Sequence, residues 1–434
     1  MKDIKEKAEY CLHCKVKPCS KGCPLGNDIP EFIAEVKQEN YQKAYEILCR
    51  TTVLSPICGR ICPHKSQCEG SCVRGIKGES VSIGELEAFV GDMAIQNHYP
   101  IPMLETTKKK ETIAVVGGGP AGLSCAGYLA RCGYSVTIFE KYASLGGILE
   151  HGIPEFRLSK EVLEKTIQKI LELPITVKYQ KELGKNLSVS ELEKFDAVFF
   201  ALGSNISSNM QITGEEKVGV YGGNELLEKK EHPDYTGKRV CVIGGGNVAM
   251  DVSRTIQKMG AKEVTVIYRR SKKQMPAEAK EVEDAEKEGV TFLYQTNVLR
   301  ILGDDKVEKI ECVPTQLIQQ EGETRETPVN KIGEEYFLPV DIVVMAVGAK
   351  PEAEVVNTLG LEITSKGYIK VNENYQTSKE KFFAGGDIIG GKQTVAWAAR
   401  GGREAGKAIH SYLNEKREGE HERKRTKTKV EKVR

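Results

Sequence analysis

The stretch Thr112–Glu140, TIAVVGGGPAGLSCAGYLARCGYSVTIFE, decides the fold. Its first five residues form an unbroken β-branched and apolar run, the pattern of a strand covered on both faces. Gly117-x-Gly119-x-x-Gly122 follows and opens an apolar-periodic helix, and the next strand ends on Glu140, 23 residues after Gly117. Glycines so spaced allow a tight turn and let the backbone approach a pyrophosphate at the helix N-terminus, while the terminal acid meets ribose hydroxyls. A lone glycine triplet would be weak; strand, turn, helix and acid together predict an adenine-dinucleotide site.

The unit recurs at Arg239–Tyr268, RVCVIGGGNVAMDVSRTIQKMGAKEVTVIY, with the fingerprint Gly244-x-Gly246-x-x-Ala249. Here the second strand runs into Arg269 and Arg270 instead of an acid. A carboxylate would repel a 2′-phosphate and guanidinium groups grip it, so this site is read as NADPH-binding; the competing reading is a solvated strand end. Two dinucleotide domains in one chain imply electrons passing between nucleotides, FAD on the first and NADPH on the second. From Thr112 onward short strands alternate with glycine turns and helical patterns, which makes this part α/β with parallel sheets.

Before Thr112 the chain is mostly helical and cysteine-rich. Of 13 cysteines, nine lie between Cys11 and Cys72. The charged, h-region-free N-terminus and the lack of any 20-residue apolar run point to a cytoplasmic protein without a membrane span, where such crowding means metal or redox chemistry instead of disulfides. The spacing is Cys11-x2-Cys14-x4-Cys19-x3-Cys23-Pro24, then Cys58-x3-Cys62-Pro63-x4-Cys68-x3-Cys72. Two such runs suit a pair of [4Fe–4S] clusters, although the gap between the second and third cysteines exceeds that of bacterial ferredoxins. Structural zinc favours paired C-x2-C hooks, and only one is present. Cys49 reads as a helix-core thiol. Asp28-Ile-Pro-Glu31 and Ser82-Ile-Gly-Glu85 read as helix starts, the second opening a helix to about Asn97, and Thr106–Glu111 as a linker. With 434 residues, about three domains are expected. A formal charge of +2, from 63 basic and 61 acidic residues, leaves no field for nucleic-acid binding.

The strings Gly59–Pro63 (GRICP), Gly146–Pro154 (GGILEHGIP), Gly244–Asp251 (GGGNVAMD), Tyr268–Arg270, Met275-Pro276 and Ala384–Asp387 (AGGD) carry a family resemblance over residues 8 to 413. The chain resembles the small (β) subunit of glutamate synthase and its relatives. These are the N-terminal region of dihydropyrimidine dehydrogenase, the large subunit of bifurcating ferredoxin:NADP oxidoreductase, and sulfide dehydrogenase. The resemblance implies Cys11, Cys14, Cys19 and Cys72 on one cluster and Cys23, Cys62, Cys68 and Glu87 on the other, with Cys58 a neighbour. For Glu87 a plain helix-dipole role competes. It also implies Gly147, Asp387 and a helix starting near Thr394 at the flavin, and Asn247 and Val248 at the nicotinamide nucleotide. A helix N-terminus there favours the negative charge of a reduced flavin.

The implied architecture is an N-terminal all-α iron–sulfur domain (1–105) followed by two Rossmann-like domains, FAD (111–205 and 349–413) with the NADPH domain (206–348) inserted, and a charged flexible tail (414–434). The implied function is NADPH-dependent electron transfer through FAD and two [4Fe–4S] clusters. A larger catalytic partner, of FMN/glutaminase type or another acceptor, docks on the iron–sulfur domain. No acid–base dyad is needed for hydride transfer. A disulfide reductase would need a cysteine pair near the flavin, and beyond residue 105 only isolated Cys125, Cys132, Cys241 and Cys312 occur. A non-catalytic scaffold sits poorly with intact nucleotide fingerprints.

Overall fold

The computed structural model describes residues 2–320 and 325–431, with side chains from 3 to 320 and from 325 to 419. The first hundred residues form helices α1 (Lys2–Glu9), α2 (Pro18–Gly22), α3 (Ile29–Lys37), α4 (Tyr41–Leu48), α5 (Ser55–Ile61) and α6 (Ile83–Gln96). Both helices start where expected, but neither Asp28 nor Ser82 caps its helix with its side chain. Pro30 in the first turn of α3 has no N–H to give, and the Asp28 carboxylate turns to Lys17 Nζ at 2.7 and 2.8 Å. At α6 the first turn is served from elsewhere in the chain, Gly84 N donating to Glu69 Oε1 at 3.0 Å.

Helices α5 and α6 approach backbone to backbone. A Cβ on Gly59 would stand 2.3 Å from Ala88 N, and one on Gly91 2.7 Å from Pro56 atoms. This closeness puts the α5 cysteines beside the buried face of α6.

The chain then runs through β1 (Thr112–Val116), α7 (Pro120–Arg131), β2 (Ser135–Phe139), α8 (Lys160–Leu171), β3 (Ile175–Lys178) and β4 (Ala197–Phe200). Next come β5 (Val220–Gly222), β6 (Arg239–Ile243), α9 (Asn247–Lys258), β7 (Glu263–Tyr268), α10 (Ala279–Lys287) and β8 (Thr291–Tyr294). An antiparallel group follows, β9 (Thr296–Leu302), β10 (Lys309–Ile318), β11 (Thr327–Asn330) and β12 (Tyr336–Pro339), before β13 (Ile342–Met345), β14 (Phe382–Ala384) and the C-terminal helix α11 (Val395–Glu431).

Two parallel sheets share the order of four strands, β4-β1-β2-β3 and β13-β6-β7-β8, and differ at the fifth: β14, the last strand of the first sheet, lies beside β4, and β5, the first of the second, lies beside β13. In each the fingerprint strand, β1 or β6, is central and buried over its last four residues. Strand order reverses there, and in doubly wound sheets the carboxyl end of that strand is where ligands bind. Between β8 and β13 the antiparallel sheet β9-β10-β11, with β12 also on β10, is an addition the sequence reading did not foresee.

The chain divides into two compact units, residues 1–150, 155–203 and 351–434 in one, 151–154 and 204–350 in the other. The first unit joins the cysteine-rich helices to the first parallel sheet, where the sequence reading separates them at residue 105. Arginines tie them: Arg131 Nη1 donates to Cys49 O at 2.6 Å and its Nε to Pro102 O at 2.7 Å, while Arg403 Nη1 donates to Leu25 O at 2.8 Å and Thr51 O at 2.7 Å. Carbonyls buried at such a junction need partners, and guanidinium supplies them.

The C-terminus also departs from expectation. A flexible tail is expected from 414, but α11 continues as helix to Glu431, and Arg417 pairs with Glu111 at 3.1 Å. Lys, Arg and Glu are good helix formers, and extending a helix already nucleated on the core is easy.

Candidate functional site

In the first unit three features meet. Gly117, at φ +103°, turns the chain out of β1, and a Cβ at Gly122 would stand 1.9 Å from Gly117 O. Gly119 precedes α7 without a side-chain cap, and Gly147, at φ +53°, lies so close that its Cβ would be 2.9 Å from Gly119 Cα. The result is a cradle floored by backbone, with the α7 N–H groups facing outward. Glu140, 3% exposed at the end of β2, accepts from Gly118 N at 2.8 Å and Tyr142 N at 2.9 Å. Burial pushes its carboxyl up, against those two bonds. Each oxygen retains a lone pair for a ribose hydroxyl.

The turn after β14 reaches the same place. A Cβ at Gly386, φ +77°, would be 2.7 Å from Ala121 Cβ in the first turn of α7. Asp387 follows, its carboxyl pushed up to about 7 by burial. Thr394 Oγ1 accepts from Trp397 N at 3.4 Å at the start of α11. Gly402 lies on α7, where a Cβ would meet Ala121 O at 1.9 Å. Thus Gly117, Gly119, Gly122, Glu140 and Gly147 form one cradle with the Gly386–Asp387 turn against its helix, and their shape and donors fit FAD; Thr394 stands at the start of α11.

In the second unit Gly244, at φ +147°, abuts Ala346 O, which a Cβ would approach to 2.2 Å. Gly246 has no protein atom near its missing Cβ, so the uncapped start of α9 stands open. Asn247 Oδ1 accepts from Glu278 N at 3.0 Å, fixing the loop before α10. Val248 is partly buried against the core of this unit. Arg269 is exposed at the end of β7, and Arg270 is half-buried with Nε 3.3 Å from Glu326 O. A third guanidinium joins them: Arg325 Nη2 donates to Tyr268 Oη at 3.2 Å and Gln274 O at 2.9 Å. Sequence reading missed Arg325, which comes from the segment leading into β11.

The cysteines form two sets. Cys11, Cys14, Cys19 and Cys72 line one cavity with Pro18, Ile29 and Ile33, partly open to solvent. Burial pushes the Cys19 thiol up to about 11, with Cys11 and Cys72 adding to the effect. The second set surrounds Glu87, which is 5% exposed on α6. Burial pushes the Cys23 thiol up to about 11, and the Glu87 charge raises it further. Cys68 is raised by burial and then by Glu87, and Cys62 by its hydrogen bond with Cys58, by burial and by Glu87. Glu87 itself is pushed up to about 8 by burial, with Asn27 Nδ2 donating to Oε1 at 3.2 Å. Glu87 lies beyond the first turn of α6, where the helix dipole favours a carboxylate only weakly. Cys58 sits in this set too, at Cys62.

Ligand atoms 2.0–2.3 Å from one tetrahedral ion are about 3.3–3.8 Å apart. Among the described residues no three cysteine sulfurs lie within 4.8 Å of one another. A cubane, which spreads its thiolates over four irons, fits these sets better than a single zinc ion. Cys49 is fully buried in the core. No helix among the described residues is long and apolar enough to cross a membrane.

Comparison with known proteins agrees. The family of pyridine nucleotide-disulphide oxidoreductases matches residues 111–404, and the family of dihydropyrimidine dehydrogenase domain II, 4Fe-4S cluster, matches residues 1–99. The glutamate synthase [NADPH] small chain of Halomonas elongata is 36% identical, over 95% of this chain and 91% of its own length. That of Escherichia coli is 34% identical, over 94% and 91%. The structure of Mycobacterium tuberculosis FprA in complex with NADPH superposes with a TM-score of 0.64 at 21% identity, covering 72% of this chain and 86% of that one, a likeness of fold. The chain belongs to the family of glutamate synthase small chains, flavoprotein oxidoreductases with an N-terminal 4Fe-4S domain.

Proposed function

We infer that this chain is the NADPH-oxidising, electron-input subunit of a glutamate synthase-type assembly. FAD supplies the change from two-electron to one-electron chemistry, and [4Fe–4S] clusters supply the exit toward a larger partner subunit. The chain's own work is binding and orientation. Gly117, Gly119, Gly122 and Gly147 open the backbone to the FAD pyrophosphate, Glu140 takes ribose hydroxyls, and Asp387 with the start of α11 meets the flavin end. Gly244, Gly246, Asn247 and Val248 form the NADPH turn, and Arg269 and Arg270, joined by Arg325, take the 2′-phosphate. Cys11, Cys14, Cys19 and Cys72 hold one cluster; Cys23, Cys62, Cys68 and Glu87 hold the other.

The observation that carries this reading is the position of the two thiol sets in the flavin-cradle unit. Arg400 on α11 donates to Pro24 O at 3.1 Å, next to Cys23, so the helix that opens at the flavin also braces the Glu87 set. The Cys11 cavity is partly open to solvent, with the exposed side chains of Leu12 (52%) and Val73 (37%) in its lining. Exposed apolar side chains around a thiol cavity suit a docking partner, and we assign the larger subunit to this face. Cys11→Ser tests the assignment with the fold intact: NADPH oxidation by a hydride-accepting dye persists while glutamate formation with the larger chain is lost. Full-rate glutamate formation by this variant would overturn the exit route.

A further inference from the structure

Away from the flavin cradle and the two cysteine sets, three side chains from distant parts of the chain meet: Glu105 before β1, Cys132 at the C-terminal end of α7 and His410 on α11. Their ligand atoms all lie within 4.8 Å of one another, the one such group of three among the described residues. His410 Nε2 stands 3.2 Å from Glu105 Oε1, close to the separation of about 3.3 Å between ligands of a tetrahedral ion. We propose that Glu105 Oε1, Cys132 Sγ and His410 Nε2 form a mononuclear site for a borderline divalent cation of the Zn2+ class, with water as fourth ligand.

The surroundings are those of a supported site. His410 Nδ1 faces Tyr134 Oη at 3.1 Å, so a proton on Nδ1 has an acceptor and the Nε2 lone pair is left for the ion. Burial lowers the His410 pKa, and the Lys109 and Arg417 charges lower it further, against Glu105. Lys109 Nζ, on a side chain only 6% exposed, takes the other carboxylate oxygen, Glu105 Oε2, at 2.7 Å. Oε1 is thereby aimed at the histidine. Asn414 Nδ2 lies 3.1 Å from His410 Nε2 and would turn away when the ion enters. Cys132 is 2% exposed, and burial raises its thiol pKa. Binding exchanges its S–H bond for an S–metal bond and releases one proton to solvent.

One imidazole, one thiolate and one carboxylate select a borderline ion over magnesium or calcium, which prefer all-oxygen shells. The site would tie the segment before β1 and α11 to the end of α7, a structural role separate from electron transfer.

The test uses holoprotein carrying FAD and iron, dialysed against one equivalent of ZnCl2. The expected result is about one retained zinc per chain, with X-ray absorption at the zinc edge giving one sulfur among nitrogen and oxygen neighbours. Cys132→Ser and His410→Ala should each retain none, with iron and FAD content unchanged. Tyr134→Phe, which removes only the support behind the imidazole, should weaken zinc affinity by about 10-fold to 100-fold. If His410→Ala folds poorly, Glu105→Gln gives the same readout. No zinc retained by the wild type, retention undiminished in Cys132→Ser, or an all-sulfur shell signalling capture by the cluster cysteines would each overturn the proposal.

Discussion

Removing guanidinium groups at the end of β7 should convert a strong NADPH preference into a weak one. Arg269 is exposed, so its ion pair with a phosphate is screened by water and contributes about 1 kcal/mol, roughly fivefold in kcat/KM. Arg270 is half-buried and held at Glu326 O, so its contact stays nearer the full charge-assisted range of about 1.5–3 kcal/mol, or tenfold to a hundredfold. Arg325 is anchored through one nitrogen on Tyr268 Oη and Gln274 O, which leaves the rest of its fork for a phosphate, and alanine there should cost about tenfold. NADH lacks the 2′-phosphate, so its kcat/KM should change less than twofold in every variant. The assay is steady-state reduction of a hydride-accepting dye by each nucleotide, for wild type, Arg269→Ala, Arg270→Ala, Arg325→Ala and the Arg269/Arg270 double variant. Equal wild-type kcat/KM for the two nucleotides, or a double variant whose NADPH:NADH ratio is unchanged, would refute the reasoning.

Two further outcomes concern the flavin cradle and the second unit. Gly122→Val drives side-chain atoms into Gly117 O, so the variant should purify with little or no FAD, as flavin released on denaturation will report; full flavin occupancy would contradict the cradle. Glu288 on the second unit is held down to about 2 chiefly by its hydrogen bond with Arg254, against an ordinary value of 4.5. A depressed carboxyl stabilises the fold above its unfolded pKa and loses that contribution as pH falls, here between about 4.5 and 2. With the side chain 26% exposed, the contribution at pH 7 is about 2 kcal/mol. Glu288→Gln should lose this in urea unfolding at pH 7 and converge on the wild type near pH 2; a difference independent of pH would count against it.

What the sequence disclosed were features in which local spacing and chemistry coincide. The fingerprints were legible because Gly117, Gly122 and Gly244 answer backbone demands set within a few residues of one another, or by the neighbouring strand. The cysteine runs were legible because ligand spacing is local. Arg325 was not, since its approach to Tyr268 depends on an antiparallel sheet inserted between β8 and β13. The presence of Cys58 at Cys62 follows from one turn of α5, but its nearness to Glu87 depends on Gly59 and Gly91 letting two helices close up. The helix starts at Asp28 and Ser82 were legible, but their caps were not: Lys17 takes the Asp28 carboxylate and Glu69 takes Gly84 N, both from outside the helices concerned. The Glu105–Cys132–His410 group is assembled from three segments whose spacing carries no motif.

The central claim is that two cubanes are held by interleaved ligands, and iron with EPR on the anaerobically reconstituted full chain tests it most directly. The account predicts about eight irons, about eight labile sulfides and one FAD per chain, by four-ligand cubane stoichiometry. Cys72→Ala should abolish or alter one EPR signal of the reduced protein, and Glu87→Ala the other. Zinc in place of iron and sulfide, or an iron content and spectrum left unchanged by Glu87→Ala, would contradict it.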